Sequence, residues 1–315
     1  MKHNSKIIFI LLFLFLITQL IGLFVVNFYN SSENKLPLGM ETNYQEIPKE
    51  ISFNSFFFNI LFPIIFVFLL FFILTKNKAK KFIKIWFFIV TGIAISVTLN
   101  VGFVKLMGLN LGILLLVISL IISYFKIFKR NLILHNLLEL LIYPGIAAIF
   151  IPILGVFSII ILLLIISFYD IWAVWHSKIM QKMAKYQINK LKIFTGFFIP
   201  YISKKDREKI KRLKVKYKEK SKSFLEKKLK KSKIKANLAI LGGGDIILPM
   251  ICSGIFYREF GLIPALIILV FSGLSLFGLF TMAKKQKFYP AMPFLTIGIY
   301  LGIILIFILN SLQIL

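Results

Sequence analysis

The chain has 315 residues, of which 59% are hydrophobic, and a formal net charge of +27. A soluble domain of this length would be far more polar, so a soluble fold is excluded. Most of the excess positive charge lies in short segments between apolar runs, where it indicates membrane topology and disfavours a nucleic-acid partner. The single cysteine, Cys252, excludes an intrachain disulfide framework and a cysteine-based metal cluster.

Apolar runs of about 20 residues recur along the whole chain, which predicts an all-α polytopic membrane protein with nine transmembrane helices in one bundle. The predicted spans are Ile7–Phe28, Phe56–Leu74, Lys84–Val104, a fourth ending near Phe125, Leu132–Phe150, Val156–Trp175, Ala236–Phe256, Leu262–Phe280 and Met292–Leu309. The first run is too long for the apolar region of a signal peptide, so it is predicted to remain uncleaved. The pair Pro144-Gly145 predicts a break in the fifth span.

Lysine and arginine crowd the N-terminus and every second connection between the spans. This bias places the N-terminus in the cytoplasm and the C-terminus outside. Residues 1–175 then carry helices 1–6, residues 176–235 form a basic cytoplasmic loop, and residues 236–315 carry helices 7–9. The loop is predicted to lie near anionic lipid headgroups. Its apolar, β-prone stretch Leu191–Tyr201 is too short to span and is predicted to pack at the membrane surface or to offer a strand edge.

Three acidic residues lie within the predicted spans, namely Glu139, Asp170 and Asp245. An ionised carboxylate at mid-membrane costs roughly 2.5–3.5 kcal/mol on insertion scales, so each acid is a candidate functional residue. Asp170 and Asp245 lie on consecutive antiparallel spans, about 12 Å and about 15 Å from the cytoplasmic face at 1.5 Å per residue. Two carboxyl groups facing each other at one depth can share a proton and activate water, as in aspartic proteases.

Three consecutive glycines, Gly242, Gly243 and Gly244, precede Asp245. Each weakens a helix by roughly 1 kcal/mol relative to alanine. Close helix packing would explain glycines alone. Their position beside an intramembrane acid favours instead an active site that admits an extended substrate backbone.

Other polar or helix-breaking residues have weaker interpretations. The segment Pro290–Met292 is either an ordinary helix start or a non-helical wall of the active site. Tyr169 either donates a hydrogen bond at the site or fills a packing slot. His135 and Glu139 have the i, i+4 spacing of a local polar pair, and two residues are too few for a metal site.

Together these residues resemble the presenilin and signal peptide peptidase family of intramembrane aspartyl proteases. That family carries Tyr-Asp on span six, Gly-x-Gly-Asp on span seven and Pro-Ala-Leu at the start of span nine. Here Tyr169-Asp170 matches the first motif and Gly242-Gly243-Gly244-Asp245 the second. Pro290-Ala291-Met292 matches the third, with methionine in place of leucine.

The resemblance implies a presenilin-like bundle in the cell membrane and an endopeptidase that cleaves peptide bonds within transmembrane helices of membrane-protein substrates. It implies that Asp170 and Asp245 are catalytic, with no metal or cofactor, and that the remaining motif residues form the site and bind substrate. It implies substrates with their N-terminus outside, and, by likeness to archaeal homologues, no need for accessory subunits. It also implies that the substrate adds a strand, for which Leu191–Tyr201 is the candidate edge.

Two other classes of protein remain open from the sequence. A proton- or ion-coupled transporter or channel would use the same carboxylate pair, because broken helices and midplane acids also mark coupling sites. A non-enzymatic scaffold that binds membrane helices is the other alternative. The sequence shows no internal repeat and no polar path beyond the pair, which favours the protease.

Overall fold

The structure is a computed structural model that describes residues 5–31, 37, 62, 66, 80–108, 111–129, 131–176, 195–201, 208, 237–283 and 289–313. The described part consists of helices and one two-stranded antiparallel sheet. The elements in chain order are α1 (Ser5–Asn30), α2 (Lys80–Met107), α3 (Gly112–Phe128), α4 (Leu132–Phe150), α5 (Val156–Trp175), β1 (Gly196–Tyr201), β2 (Asn237–Gly242), α6 (Gly244–Phe260), α7 (Leu262–Met282) and α8 (Met292–Ser311).

Several of these helices are long and apolar enough to cross a membrane. Six stretches of the described chain meet both conditions, namely Lys6–Asn30, Lys81–Lys105, Leu132–Ile153, Val156–Trp175, Leu262–Met282 and Met292–Ser311. The protein is therefore a multi-pass helical membrane protein. The predicted second span, Phe56–Leu74, and most of the predicted loop 176–235 lie outside the described residues.

The predicted break in the fifth span is wrong. The bounds of α4 agree with the prediction, but the helix continues through Pro144. Gly145 brings α4 so close to α2 that a Cβ at this position would lie 1.9 Å from the carbonyl oxygen of Ala94. The Pro-Gly pair thus serves close helix packing, which is common between membrane helices.

The predicted seventh span, Ala236–Phe256, is wrong in its first part, which is a strand. Residues Asn237–Gly242 form β2 and pair antiparallel with β1, from Gly196 opposite Gly242 to Tyr201 opposite Asn237. Helix α6 begins only at Gly244. Pairing with β1 satisfies the backbone N–H and C=O groups of this apolar segment that face β1, so these groups need no helical hydrogen bonds. The sheet therefore leads directly into the Gly-Gly-Gly-Asp segment.

The helices pack around α1, which contacts α4, α6 and α7, while α5 packs against α6 and α8. The core joins α1, α4, β1 and α6 through side chains that are at most 1% exposed, among them Phe15, Tyr143, Phe197 and Phe256. The hairpin of β1 and β2 rests on α4 and α1 through β1. This packing places the end of β2, and with it the start of α6, inside the bundle.

Candidate active site

Asp170 lies near the end of α5 and is only 5% exposed. Its Oδ2 accepts a hydrogen bond of 3.0 Å from the backbone N–H of Met292, the first residue of α8. The first N–H groups of a helix have no partner within the helix, and the helix dipole there favours negative charge. Asp170 therefore caps α8 from another helix and receives electrostatic support from it.

One turn before Asp170, a second polar contact joins the same two helices. The hydroxyls of Ser167 and Thr296 lie 2.6 Å apart, and both residues are buried. Two contacts on successive turns fix the orientation of α5 against the start of α8.

Asp245 lies in the first turn of α6 and is partly buried. Its Oδ2 folds back over the end of β2, where a Cβ on Gly242 would come within 3.0 Å. Helices α5 and α6, which carry Asp170 and Asp245, pack against each other. Each carboxyl group is thus placed at the N-terminus of a helix. Asp245 lies in the first turn of α6, and Asp170 of α5 binds the first N–H of α8.

The three glycines before Asp245 have different surroundings. Gly243 is buried, and a Cβ there would lie 3.1 Å from the phenolic oxygen of Tyr143 and 3.4 Å from Cβ of Thr195. Gly244 faces open space, with nothing within 4 Å of a Cβ. Close packing therefore accounts for Gly243, whereas no packing contact accounts for Gly244.

The other predicted site residues are placed as follows. Pro290 is buried, Ala291 is the N-cap of α8, and Met292 is 4% exposed and supplies the N–H bound by Asp170. The segment is thus a helix start whose first N–H binds Asp170. Tyr169 is 41% exposed, and its ring packs at 6.4 Å from the ring of Trp172.

A buried glutamine, not singled out from the sequence, contacts the first turn of α6. Gln19 of α1 donates a hydrogen bond of 2.8 Å to the carbonyl of Ile246, and its side chain is buried. Four residues after Asp245, Pro249 lies inside α6 and supplies no N–H to the Asp245 carbonyl. In the sequence, Gln19 could be noticed only because it places an amide within an apolar run, where a polar group without a hydrogen-bond partner costs free energy.

Two side chains of α4 bind the backbone of β1. His135 Nε2 lies 2.9 Å from the carbonyl oxygen of Gly196. Asn136 donates to the carbonyl of Phe198 at 2.8 Å and accepts from its N–H at 2.9 Å. Nothing local in the sequence distinguishes Asn136 from an ordinary polar residue near a helix start, so its role could not be predicted.

The predicted polar pair of His135 and Glu139 is confirmed, with Nε2 and Oε1 3.3 Å apart. Glu139 also forms an ion pair of 2.7 Å with Lys126 of α3, and both side chains are buried. In the sequence, Lys126 at the end of the fourth predicted span was interpreted only as a topology signal. Its pairing with an acid 13 residues away could not be inferred from local spacing.

Comparisons with known proteins identify a family and two similar folds. The family model described as "Signal-peptide peptidase, presenilin aspartyl protease" matches residues 12–312. A presenilin family intramembrane aspartate protease solved in the C222 space group has a TM-score of 0.57 and 16% identity, covering 95% of this chain and 97% of that chain. The structure solved in the P2 space group gives 0.56 and 17%, covering 94% and 95%. Comparison with curated proteins gave no significant match.

The fold is that of a presenilin-like helical membrane protein. The chain belongs to the signal-peptide peptidase and presenilin aspartyl protease family, and it is an intramembrane aspartyl protease. Such an enzyme hydrolyses peptide bonds, and its family implies transmembrane helices as substrates. The transporter alternative is not supported.

Proposed function

We propose that Asp170 and Asp245 form the catalytic dyad of this protease. The observation that carries the proposal is that one carboxyl group binds the first N–H of α8 and the other lies in the first turn of α6, within one apolar bundle. The N-terminal ends of two helices stabilise negative charge on the pair. One shared proton then leaves a single charge to be held, which lowers the cost of placing two acids within the bundle.

In the proposed reaction one carboxylate takes a proton from water as the water oxygen attacks the peptide carbonyl carbon. The other carboxyl group, protonated, donates its proton to the carbonyl oxygen, which gives a neutral tetrahedral intermediate. As the intermediate collapses, the protonated carboxyl group gives its proton to the leaving nitrogen and the C–N bond breaks. One hydroxyl of the intermediate returns its proton to the other carboxylate, and the remaining product is a carboxylic acid. The pair ends with one proton, as it began, so no cofactor is needed.

The outer edge of β2 is the proposed docking site for an extended substrate segment. In an antiparallel strand the N–H and C=O of one residue point to the same side, and successive residues alternate. Gly196 and Phe198 direct these groups to α4, so the outer side of β1 is occupied. We therefore propose β2 as the docking edge in place of Leu191–Tyr201. On β2, the residues paired with them are Gly242 and Ile240, and Ile240 is 39% exposed.

A substrate strand added along β2 reaches Asp245 at its end, because β2 ends at Gly242 and Oδ2 of Asp245 lies over this glycine. The backbone of such a strand is released from helical hydrogen bonds, which a peptide carbonyl must be before water can attack it. Main-chain pairing of this kind binds many sequences, since affinity comes from the backbone. Open space at Gly244 accommodates the side chain of a residue near the cut.

The proposed topology has nine helices, with the N-terminus in the cytoplasm and the C-terminus outside, in the cell membrane. The charge bias of the connections supports it. The basic loop 176–235 then lies near anionic headgroups, and the enzyme works without accessory subunits. A cysteine introduced by Asp206→Cys should react with an impermeant thiol reagent only from the cytoplasmic side.

Cleavage of a single-span substrate by the purified protein in liposomes tests the dyad. We expect Asp170→Asn and Asp245→Asn each to reduce cleavage by at least 10²-fold, the lower range for a general acid or base. Glu259→Gln, at the other end of α6, serves as the matched carboxylate control and should keep wild-type activity. Cleavage that survives both aspartate substitutions would refute the assignment.

A further inference from the structure

Asn136 binds β1 in the manner of a neighbouring strand. Its side-chain amide gives one donor and one acceptor to a single residue, Phe198, at 2.8 Å and 2.9 Å. Only an amide side chain offers both groups in this geometry. Phe198 is 8% exposed and both hydrogen bonds are partly buried, so water competes with them less than at an exposed site.

His135 makes the adjoining contact two residues earlier on the strand. A carbonyl oxygen can only accept, so Nε2 of His135 donates to Gly196. Glu139 lies 3.3 Å from the same nitrogen, and Lys126 holds Glu139 at 2.7 Å. The histidine is therefore oriented by a buried ion pair that reaches from α3.

A two-stranded hairpin is marginally stable at best on its own, and an open edge strand invites pairing with other chains. The side chains of His135 and Asn136 take the place of a third strand along β1. They bond Gly196 and Phe198 from outside, while β2 pairs with β1 on the other side. The hairpin is thus fixed to α4 on the side opposite to β2.

The contact of His135 with β1 is linked to Asp245 through a single pair of opposite residues, Gly196 and Gly242. Gly196, bound by His135, is directly opposite Gly242, and Asp245 Oδ2 lies over Gly242. Neighbouring strands are about 4.8 Å apart, so a shift of β1 passes to Gly242 without intervening flexible chain. The position of the Asp245 carboxyl group therefore depends on where α4 holds the hairpin.

We propose that Asn136 and His135 are positioning residues of this protease, which hold the β1–β2 hairpin against α4 so that Gly242 and Asp245 are placed for catalysis. The inference rests on the proposed roles of Asp245 and β2. Both side chains bind β1 and face away from the edge of β2, so they act through the hairpin.

The test compares Asn136→Ala with Asn131→Ala. Asn131 is the same residue type in the same helix region, where it caps α4 by accepting from the N–H groups of Ile133 and Leu134. We measure kcat and KM for a single-span substrate in liposomes, amide hydrogen exchange of residues 195–201, and the melting temperature. Asn136→Ala should lower kcat/KM about tenfold, the loss expected for one to two hydrogen bonds, and speed exchange in β1.

Asn131→Ala should leave kcat/KM and hairpin exchange within twofold of wild type, although it removes the helix cap. A second pair of variants, at His135, tests the proposal independently of Asn136. His135→Leu removes the donor to Gly196, whereas His135→Gln keeps an N–H donor at a similar distance from the backbone. We expect His135→Leu to behave like Asn136→Ala and His135→Gln to restore most of the activity.

Wild-type exchange or wild-type kcat/KM in both Asn136→Ala and His135→Leu would overturn the proposal. So would equal losses in Asn131→Ala, or a His135→Gln as impaired as His135→Leu, because either result indicates a general effect on stability. Failure of the dyad itself is distinguished by Asp245→Asn. If that variant cleaves substrate, the proposed catalytic role fails, whatever the variants of α4 do.

Discussion

The carboxyl group of Asp170 is hydrogen-bonded to the backbone N–H of Met292 at 3.0 Å, although the two residues are 122 positions apart. One oxygen of this carboxyl group therefore stabilises a helix start, while the proposed chemistry uses the same group. Substitution of Asp170 by asparagine or by leucine separates the two roles. The asparagine side chain retains an oxygen that can accept from Met292, and leucine does not.

We expect Asp170→Asn to keep a melting temperature near that of wild type, because the cap on α8 remains. Asp170→Leu should be destabilised by about 1 kcal/mol relative to Asp170→Asn, the usual value of an N-cap hydrogen bond. Neither variant should cleave substrate. Thermal unfolding in detergent and cleavage in liposomes measure the two effects, and equal melting temperatures for both variants would contradict the capping role.

Gly243 and Gly244 offer a matched pair of substitutions one residue apart. Alanine at position 243 would place Cβ 3.1 Å from the phenolic oxygen and 3.2 Å from a ring carbon of Tyr143. We expect Gly243→Ala to lower the melting temperature and the activity together, with a loss of about 1–3 kcal/mol typical of overpacking. Gly244→Ala meets nothing within 4 Å and should not lower the melting temperature. The opposite order of stabilities would contradict the packing described for Gly243.

Gly298 is where α8 approaches α7 most closely among the glycines described on these two helices. A Cβ there would lie 1.6 Å from Oγ of Ser275 and 2.8 Å from the carbonyl oxygen of Phe271, which cannot move without the helix. Gly298→Ala should therefore cost about 1–3 kcal/mol and displace the start of α8. Gly278→Ala in α7, with open space around its Cβ, is the control. Melting temperatures of the two variants check the prediction.

Gln19 should affect catalysis more than stability. Its amide nitrogen binds Ile246, whereas its amide oxygen is buried and has no hydrogen-bond partner in the described part of the chain. Gln19→Met keeps the side-chain length and removes both polar atoms. Because a buried unsatisfied oxygen is lost together with one hydrogen bond, the melting temperature should change little. The value of kcat should fall severalfold as the first turn of α6 loosens, and a lower melting temperature with normal kcat would contradict this role.

The Lys126–Glu139 pair gives the largest expected change in stability. Both side chains are buried, with 4% and 0% exposure, so removal of one leaves the other uncompensated. Lys126→Met should destabilise the protein by about 3–5 kcal/mol. The double variant Lys126→Met with Glu139→Gln should recover most of this loss, since no unpaired charge remains. A double-mutant cycle of unfolding free energies measures the coupling, and strict additivity would show that the pair contributes nothing.

The sequence predicted the apolar helices well because a membrane span needs a continuous run of about 20 apolar residues. The bounds of α4 and α5 follow directly from this requirement. Asp170 and Met292 come from two separate motifs, and the structure joins them by a hydrogen bond. Local patterns therefore sufficed where one segment alone determines the outcome.

The predictions failed where two distant segments determine the structure together. Residues 237–242 are as apolar as a span, and only the pairing with β1 makes them a strand. Pro144 is tolerated within α4, where the adjoining Gly145 packs against α2. The contacts of Asn136 with Phe198 and of Lys126 with Glu139 likewise join separate elements. Periodicity and composition contain no information on such partners.

Pro249 divides α6 into two parts that are held by different contacts. Before it, the turn that carries Asp245 is fastened by the carbonyl of Gly243, through the N–H groups of Ile246 and Ile247, and by Gln19 of α1. Beyond it, buried residues from Met250 to Phe256 anchor the helix in the bundle. Since the carbonyl of Asp245 receives no hydrogen bond from Pro249, the turn of Asp245 is joined to the rest of α6 by one backbone hydrogen bond fewer than in a regular helix, and the contact from Gln19 matters more. One continuous helix therefore carries both the anchor in the bundle and the turn of the proposed catalytic acid, and contacts from outside the helix hold that turn.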